Sequence, residues 1–276
     1  MTDQEEIVIE PSRKFSFNLN ELRHYKELFY FFTWRDVKVK YKQTVLGVLW
    51  VILQPLMTVL IFSLFLGSKL KDLPADLPYP IFVFSGLLLW NIFSSGISNA
   101  GNSMVTNSQI IKKIYFPRLI IPISAILVSL IDFMVAFVVF IIMMIYYGLS
   151  VNIVQLIFIW PLAIIFTVIG TLGPSCWLAA LNVKYRDFRY LIPFLIQALL
   201  FLTPIIYPVS SSKYPLLNYI LAMNPLYGTI MIFRIPFSST IPEWHLIITS
   251  LCSSILLIFI GVFYFRKTES YFADLA

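Results

Sequence analysis

The chain has 276 residues, 59% hydrophobic and 12% charged, with a mean hydropathy of +0.85 and a net charge of +6. Soluble domains carry charge on roughly a quarter of their residues, so this composition excludes one and points to a polytopic membrane protein. The positive sign does not require nucleic acid, because cytoplasmic flanks of membrane spans retain Lys and Arg.

Residues 1–17 are polar, contain Asp3, Glu5, Glu6 and Glu10, and lack the apolar core of a cleavable signal peptide, so the first span is expected to act as the membrane signal. Asn18 followed by Glu21 is a capping-box start. Leu22, Tyr25, Leu28, Phe29 and Phe32 then recur at helical spacing opposite Arg23, Lys26 and Glu27. This predicts an amphipathic helix ending near Trp34, lying in the cytoplasmic interface or packed on the protein's own cytoplasmic side. A basic run follows, with Arg35, Lys38, Lys40 and Lys42 against Asp36.

Residues 45–66 carry no charge and are long enough to cross a hydrocarbon core of about 30 Å. Pro55, after Gln54, frees a carbonyl that lipid cannot satisfy, so a kink facing protein or a wet cavity is expected. The loop 69–80 is short and proline-rich. Residues 81–97 return inward and lead through a polar run to IIKKIYFPR, a basic turn ending at Arg118. Spans at 119–147 and 153–181 are separated by a turn, and Lys184, Arg186 and Arg189 mark the inside again. A shorter fifth span, 190–207, is interrupted by Pro193 and Pro204. Residues 208–242 are too apolar for a free loop and too rich in proline for a span, so two short re-entrant helices are expected. The last span, 246–265, is stopped by Arg266 and Lys267.

Sixteen of the twenty Lys and Arg residues fall on the inside in this arrangement. The bias predicts about six spans with both termini cytoplasmic, in an all-α membrane protein. The division expected is an N-terminal tail and interface helix at 1–34, a transmembrane domain at 35–267, and a short cytoplasmic tail at 268–276.

A membrane hydrolase or transferase needs a nucleophile, an acid–base pair or a metal cluster. The chain has His24 and His245 with no carboxylate placed beside either, its two cysteines both sit in apolar runs without metal-ligand spacing, and it has no phosphate loop of the GxxxxGK type. No catalytic or metal site is therefore expected, and any ATP-driven work must come from another chain. Asp132 is the one acid deep in a span, serving either a structural hydrogen-bonded role or a functional one. It is too little for an ion-coupled cycle.

Two stripes stand out. Gln43, Gly47, Trp50, Gln54, Thr58 and Phe65 fall within about 80° of each other on the first span, and Tyr190, Phe194, Gln197, Phe201 and Pro204 do so on the fifth. Such faces serve helix packing or a conduit. Asn91, Ser94, Ser98 and Asn102 give the second span a polar face that suits the same two roles.

RDVKVKYKQTVLGVLWVILQPL, PYPIFVFSGLLLW, KKIYFPR, LNVKYRDFRYLIPFL and TPIIYPVS, in this order over residues 28–265, resemble the integral membrane subunit of ABC exporters for bacterial surface polysaccharide. This is the O-antigen, capsule and teichoic-acid permease family of the type-2 ABC class. The resemblance implies a homodimer in the bacterial inner membrane, served by two separate ATPase subunits that bind ATP and Mg, and exporting a lipid-linked polysaccharide. It implies no cofactor on this chain itself. It also implies that the first and fifth helices of both copies enclose the path, so that Trp50, Gln54, Thr58, Phe65, Tyr190, Phe194, Gln197 and Phe201 become conduit residues. Their rings suit the C–H faces of sugars, and the amides offer exchangeable hydrogen bonds. The turn at 104–116 becomes the ATPase-coupling loop, with Asn107, Gln109, Lys112, Lys113 and Tyr115 as contacts. By charge alone that loop is a solvated basic turn. An exporter of drugs or lipids, or a non-transporting assembly factor, would share much of this pattern.

Overall fold

A computed structural model describes residues 25–42, 44, 46–67, 77–209, 215–238, 242–269 and 272. Among them every regular element is helical, as expected. The proposed capping box at Asn18, the stripe residue Gln43, Lys69, Lys71 and Lys213 lie outside the described residues.

Helix α1, Lys26–Lys42, does not end near Trp34 but continues through the whole basic run. Phe32 is its buried anchor, seated on Phe116 with ring centroids 5.7 Å apart, in a cluster with Ile111, Leu119 and Phe265. The following link turns at Gly47, whose φ of +44° lies in the left-handed region where a Cβ is strained. Helix α2, Leu49–Leu66, then runs for 18 residues with only Pro55 and Val59 buried. Pro55 thus faces protein, as the freed carbonyl requires.

Helix α3, Tyr79–Thr106, is the axis of the subunit, with 19 of its 28 residues buried. It packs against α2 and against five elements that follow it in the chain. It extends well beyond the expected end at 97 because its polar residues bond back to the helix. Asn102 Nδ2 donates to Ser98 O at 2.8 Å, Ser103 Oγ to Ala100 O at 2.6 Å and Asn107 Nδ2 to Ser103 O at 2.8 Å. Side chains of these types usually compete with a helix; turned inward on its carbonyls, they allow it. A single turn, α4 (Ser108–Ile111), follows.

Helices α5 (Ile120–Tyr146) and α6 (Ile153–Lys184) match their expected spans closely. Asn152 caps α6, accepting from Gln155 N at 3.3 Å. Helix α7, Phe188–Leu202, has only 15 residues, a rise of about 22 Å. Pro193 does not break it; the helix stops at the residues before Pro204. Two sets of bonds nevertheless show that this segment crosses the whole bundle. Asn182, near the end of α6, bonds Gly101 O at 2.9 Å at the basic end of α3, whereas Tyr79 at the far end of α3 donates to Ile206 O at 3.0 Å. The non-helical residues 203–207 supply the missing length.

The expected re-entrant pair is present. Helix α8, Pro215–Ala222, and helix α9, Pro225–Arg234, meet at a bend of 92°. Ser254 Oγ donates to Pro225 O at 3.4 Å, ten residues into the last helix, α10 (Trp244–Glu269), so the bend lies about 15 Å below the far end. Helix α9 climbs back, and Pro236 O accepts from Asn152 N at 3.3 Å beside the far turn. An aromatic core closes this end: Trp160 stacks on Phe233 with centroids 5.1 Å apart and donates to its carbonyl at 3.0 Å. Phe137 and Phe140 pack on the same indole at 4.9 and 6.1 Å.

Helices α6 and α10 meet backbone to backbone. A Cβ at Gly261 would stand 2.0 Å from Gly173 O, so neither position has room for a side chain. Among the described residues five helices, α2, α3, α5, α6 and α10, are long and apolar enough to span, and six spans result if the bent pair α8 and α9 counts as one; α7 is apolar but shorter.

Candidate functional site

The residues expected to line a conduit on the first span lie on the surface of α2. Trp50 is 55% and Phe65 68% exposed, Gln54 is open, and Thr58 is half-buried, its hydroxyl donating to Gln54 O at 2.9 Å. On α7, Tyr190 is 82% exposed, and Phe194, Gln197 and Phe201 are also open. Packing within the subunit therefore does not consume either stripe. The aromatic core at the far end uses other rings altogether. Helices α2 and α7 both pack on α3, so one buried helix carries both stripes.

Gln197 is a stripe residue that lines a cavity of about 370 Å³ with the α3 residues Trp90, Ser94, Ser95, Ser98 and Asn99. Lys40 of α1 also reaches this cavity. The polar face expected on α3 is thus divided. Ser94 and Ser98 face the cavity, while Asn102 accepts from Asn182 Nδ2 at 3.1 Å and ties α3 to α6.

Asp132 is not a lone acid. It pairs with Lys40 Nζ and accepts from the Tyr41 hydroxyl, 92 and 91 positions away in sequence. Asp132 sits twelve residues into α5, so the end of α1 is pinned about 18 Å along that helix. The pairing explains why α2 needs only 18 residues: the chain begins its span already at the depth of Asp132.

The residues expected on a coupling turn separate into two groups. Gln109, Lys112, Lys113 and Tyr115 are exposed around and just after α4, next to an equally exposed Ile114. Asn107 is 6% exposed and is used within the subunit, accepting from Arg35 Nη2 at 2.7 Å. Arg35 also pairs with Asp36 at 2.6 Å and lies 4.9 Å from the Phe32 ring. Behind the turn, Arg118 N donates to Glu269 Oε1 at 3.1 Å, which joins the basic ends of α5 and α10.

Arg234 was not singled out by the sequence, which placed it in the outer segment as one of four cations outside. It is 5% exposed at the end of α9, its guanidinium 3.7 Å from the Phe82 ring centroid. Nη2 donates to Phe82 O at 2.8 Å, Nε to Ser85 Oγ at 3.1 Å and Nη1 to Pro204 O at 3.2 Å. The cation thus ties α9, the far end of α3 and the unwound end of α7 together. Its being the one charge in the apolar segment from α8 to α9 was the available signal.

A multi-pass helical bundle with a re-entrant pair, an interface helix and an exposed basic turn defines an integral membrane transport subunit. The chain belongs to the ABC-2 type transporter family, whose model matches residues 27–238. It is 30% identical over 268 residues to an O-antigen export system permease protein RfbA of Klebsiella pneumoniae, covering 96% of this chain and 99% of that one. A protein of the same name from Myxococcus xanthus is 24% identical over 93% of this chain and 98% of its own length. The polysialic acid transport protein KpsM of Escherichia coli is 26% identical over 72% of this chain and 77% of its own.

Proposed function

We propose that this chain is the membrane permease of an ATP-driven exporter that carries a lipid-linked, O-antigen-like polysaccharide across the bacterial inner membrane. The observation that carries the reading is the end-to-end similarity to O-antigen export permeases, which includes both striped helices and the basic turn. The chain has no nucleotide-binding motif, so ATP and Mg are bound by a partner ATPase, two copies of which dock beneath a dimer of this subunit. Gln109, Lys112, Lys113 and Tyr115 form the exposed part of the docking surface. Both termini lie in the cytoplasm, since the basic segments share one end.

In this reading α2 and α7 of each copy enclose the path. Trp50, Phe65, Tyr190, Phe194 and Phe201 present ring faces to sugar C–H groups, and Gln54, Thr58 and Gln197 add hydrogen bonds that exchange as the chain moves. The test is deletion and complementation in the native host. Loss of the chain should abolish surface polysaccharide while lipid-linked glycan accumulates inside, and restoration should require both this gene and the ATPase. Replacing Trp50, Tyr190 or Phe201 with Ala should slow export about tenfold with partner binding retained, at roughly 1–3 kcal/mol per lost stacking contact by analogy with base stacking on aromatic side chains. Normal surface polysaccharide in the deletion strain refutes the reading.

A further inference from the structure

Most hydroxyl groups in the apolar helices follow one habit, although Thr33, Ser63 and Ser175 are sealed without a partner. Ser85, Ser124, Ser129, Thr167 and Thr171 each donate to a carbonyl three or four residues earlier, at 2.6 to 2.8 Å. This is the ordinary way for a serine or threonine in an apolar helix to satisfy itself. Ser94, Ser95 and Ser98 line the cavity between α3 and α7, and their hydroxyls make no hydrogen bond to any described residue. Asn99 and Gln197 in the same wall have none either, although Asn102, one turn from Ser98, has two partners.

Trp90 gives a second, independent sign. Its side chain is 5% exposed, packed against Phe93 with centroids 5.7 Å apart. Its indole N–H has no acceptor among the described residues, and it is not among the polar atoms sealed from the surface without a partner. Trp90 is one of the residues that line the cavity. Trp160, by comparison, donates to Phe233 O.

We infer that this groove is a binding wall for a neutral, hydroxyl-rich chain, supplied by the second span and not by the two striped helices alone. Resting on the export reading above, it makes Trp90, Ser94, Ser95, Ser98, Asn99 and Gln197 contacts for the sugar units. Hydroxyls and amides both donate and accept, as sugar hydroxyls do, so each can be satisfied by a glycan in several orientations. An acyl chain could satisfy none of them. The groove follows about 14 Å of α3, from Trp90 to Asn99. Its one cation, Lys40, is already paired with Asp132, so the wall favours uncharged sugar over a phosphate group.

The experiment uses the assembled exporter in cells making their native polysaccharide. A photoreactive benzophenone residue is placed at Ser98 in one strain and at Trp50 in another, and the permease is probed for attached glycan after illumination. Glycan attached at both positions is the expected result. Separately, a triple Ser94→Ala, Ser95→Ala, Ser98→Ala variant removes only hydroxyl groups, and a Trp90→Phe variant removes the indole N–H together with some ring volume; both keep the helix intact. Export should fall about three- to tenfold in the triple variant and about threefold in Trp90→Phe, with permease level, subunit pairing and ATPase binding unchanged. Unchanged export, or glycan captured at position 50 but not 98, overturns the groove assignment and leaves the export reading standing. Loss of subunit pairing in the triple variant overturns it too, because the hydroxyls would then join two copies. Glycan at neither position during normal export overturns the export reading itself.

Discussion

Replacing Arg234 with Met tests the most buried charge among the described residues. The guanidinium is held by Phe82 O, Ser85 Oγ, Pro204 O and, more weakly, Ile205 O at 3.4 Å. Methionine keeps the apolar stem but leaves the carbonyls of Pro204 and Ile205 in an unwound segment with no donor. A buried acceptor left unpaired costs about 1–3 kcal/mol, so two cost about 2–6 kcal/mol. Part of this is offset because no cation has to be desolvated, which leaves a net loss of roughly 2–4 kcal/mol. The ring contact at 3.7 Å adds about 1–2 kcal/mol to what is lost. The purified subunit should melt on the order of 5–15 °C lower, read as loss of the monodisperse peak after heating in detergent. Arg234→Lys should fall between the two, since one ammonium cannot span acceptors on both α3 and the end of α7. A methionine variant melting within about 2 °C of the native protein would refute the view that this cation joins the three segments.

Three further substitutions probe other joints. Gly261→Ala drives a methyl into Gly173 O of α6, and should lower stability by about 1–3 kcal/mol or reduce the folded yield in the same heating assay. Asp132→Asn leaves Lys40, which is partly exposed, without its charge partner; the loss should be about 1 kcal/mol, with export largely retained, and complete loss of transport at normal assembly would contradict the anchoring role. Lys112→Glu combined with Lys113→Glu should weaken co-purification of the ATPase roughly tenfold without changing subunit melting, whereas Asn107→Ala should act mainly on melting by releasing Arg35.

Helices α5, α6 and α10 were legible because each is a long apolar run bounded by charge or a turn, and the two proline-bounded helices because neither is long enough to span. Helix α3 was cut short because Asn102, Ser103 and Asn107 look like loop residues until their bonds to the preceding turn are seen. Helix α1 was cut short because nothing local in the basic run says that Lys40 and Tyr41 have a partner about ninety positions later. The same distance hid the use of Asp132. The periodicity of Trp50, Gln54, Tyr190 and Gln197 told which residues share a face, since that is a property of one helix. What the face looks onto is set by neighbours, and so the cavity wall on α3 was not distinguishable from interhelical packing.

The glycine contact between α6 and α10 bears on how such a subunit could work. Two helices that touch through their backbones have no layer of side chains between them to slide or repack, so they form a fixed stator with the aromatic-capped end of α9. Any change of width during a transport stroke then has to be taken up elsewhere. The segments freest to do so are α2, in which only Pro55 and Val59 are buried, and α7, whose far end is unwound.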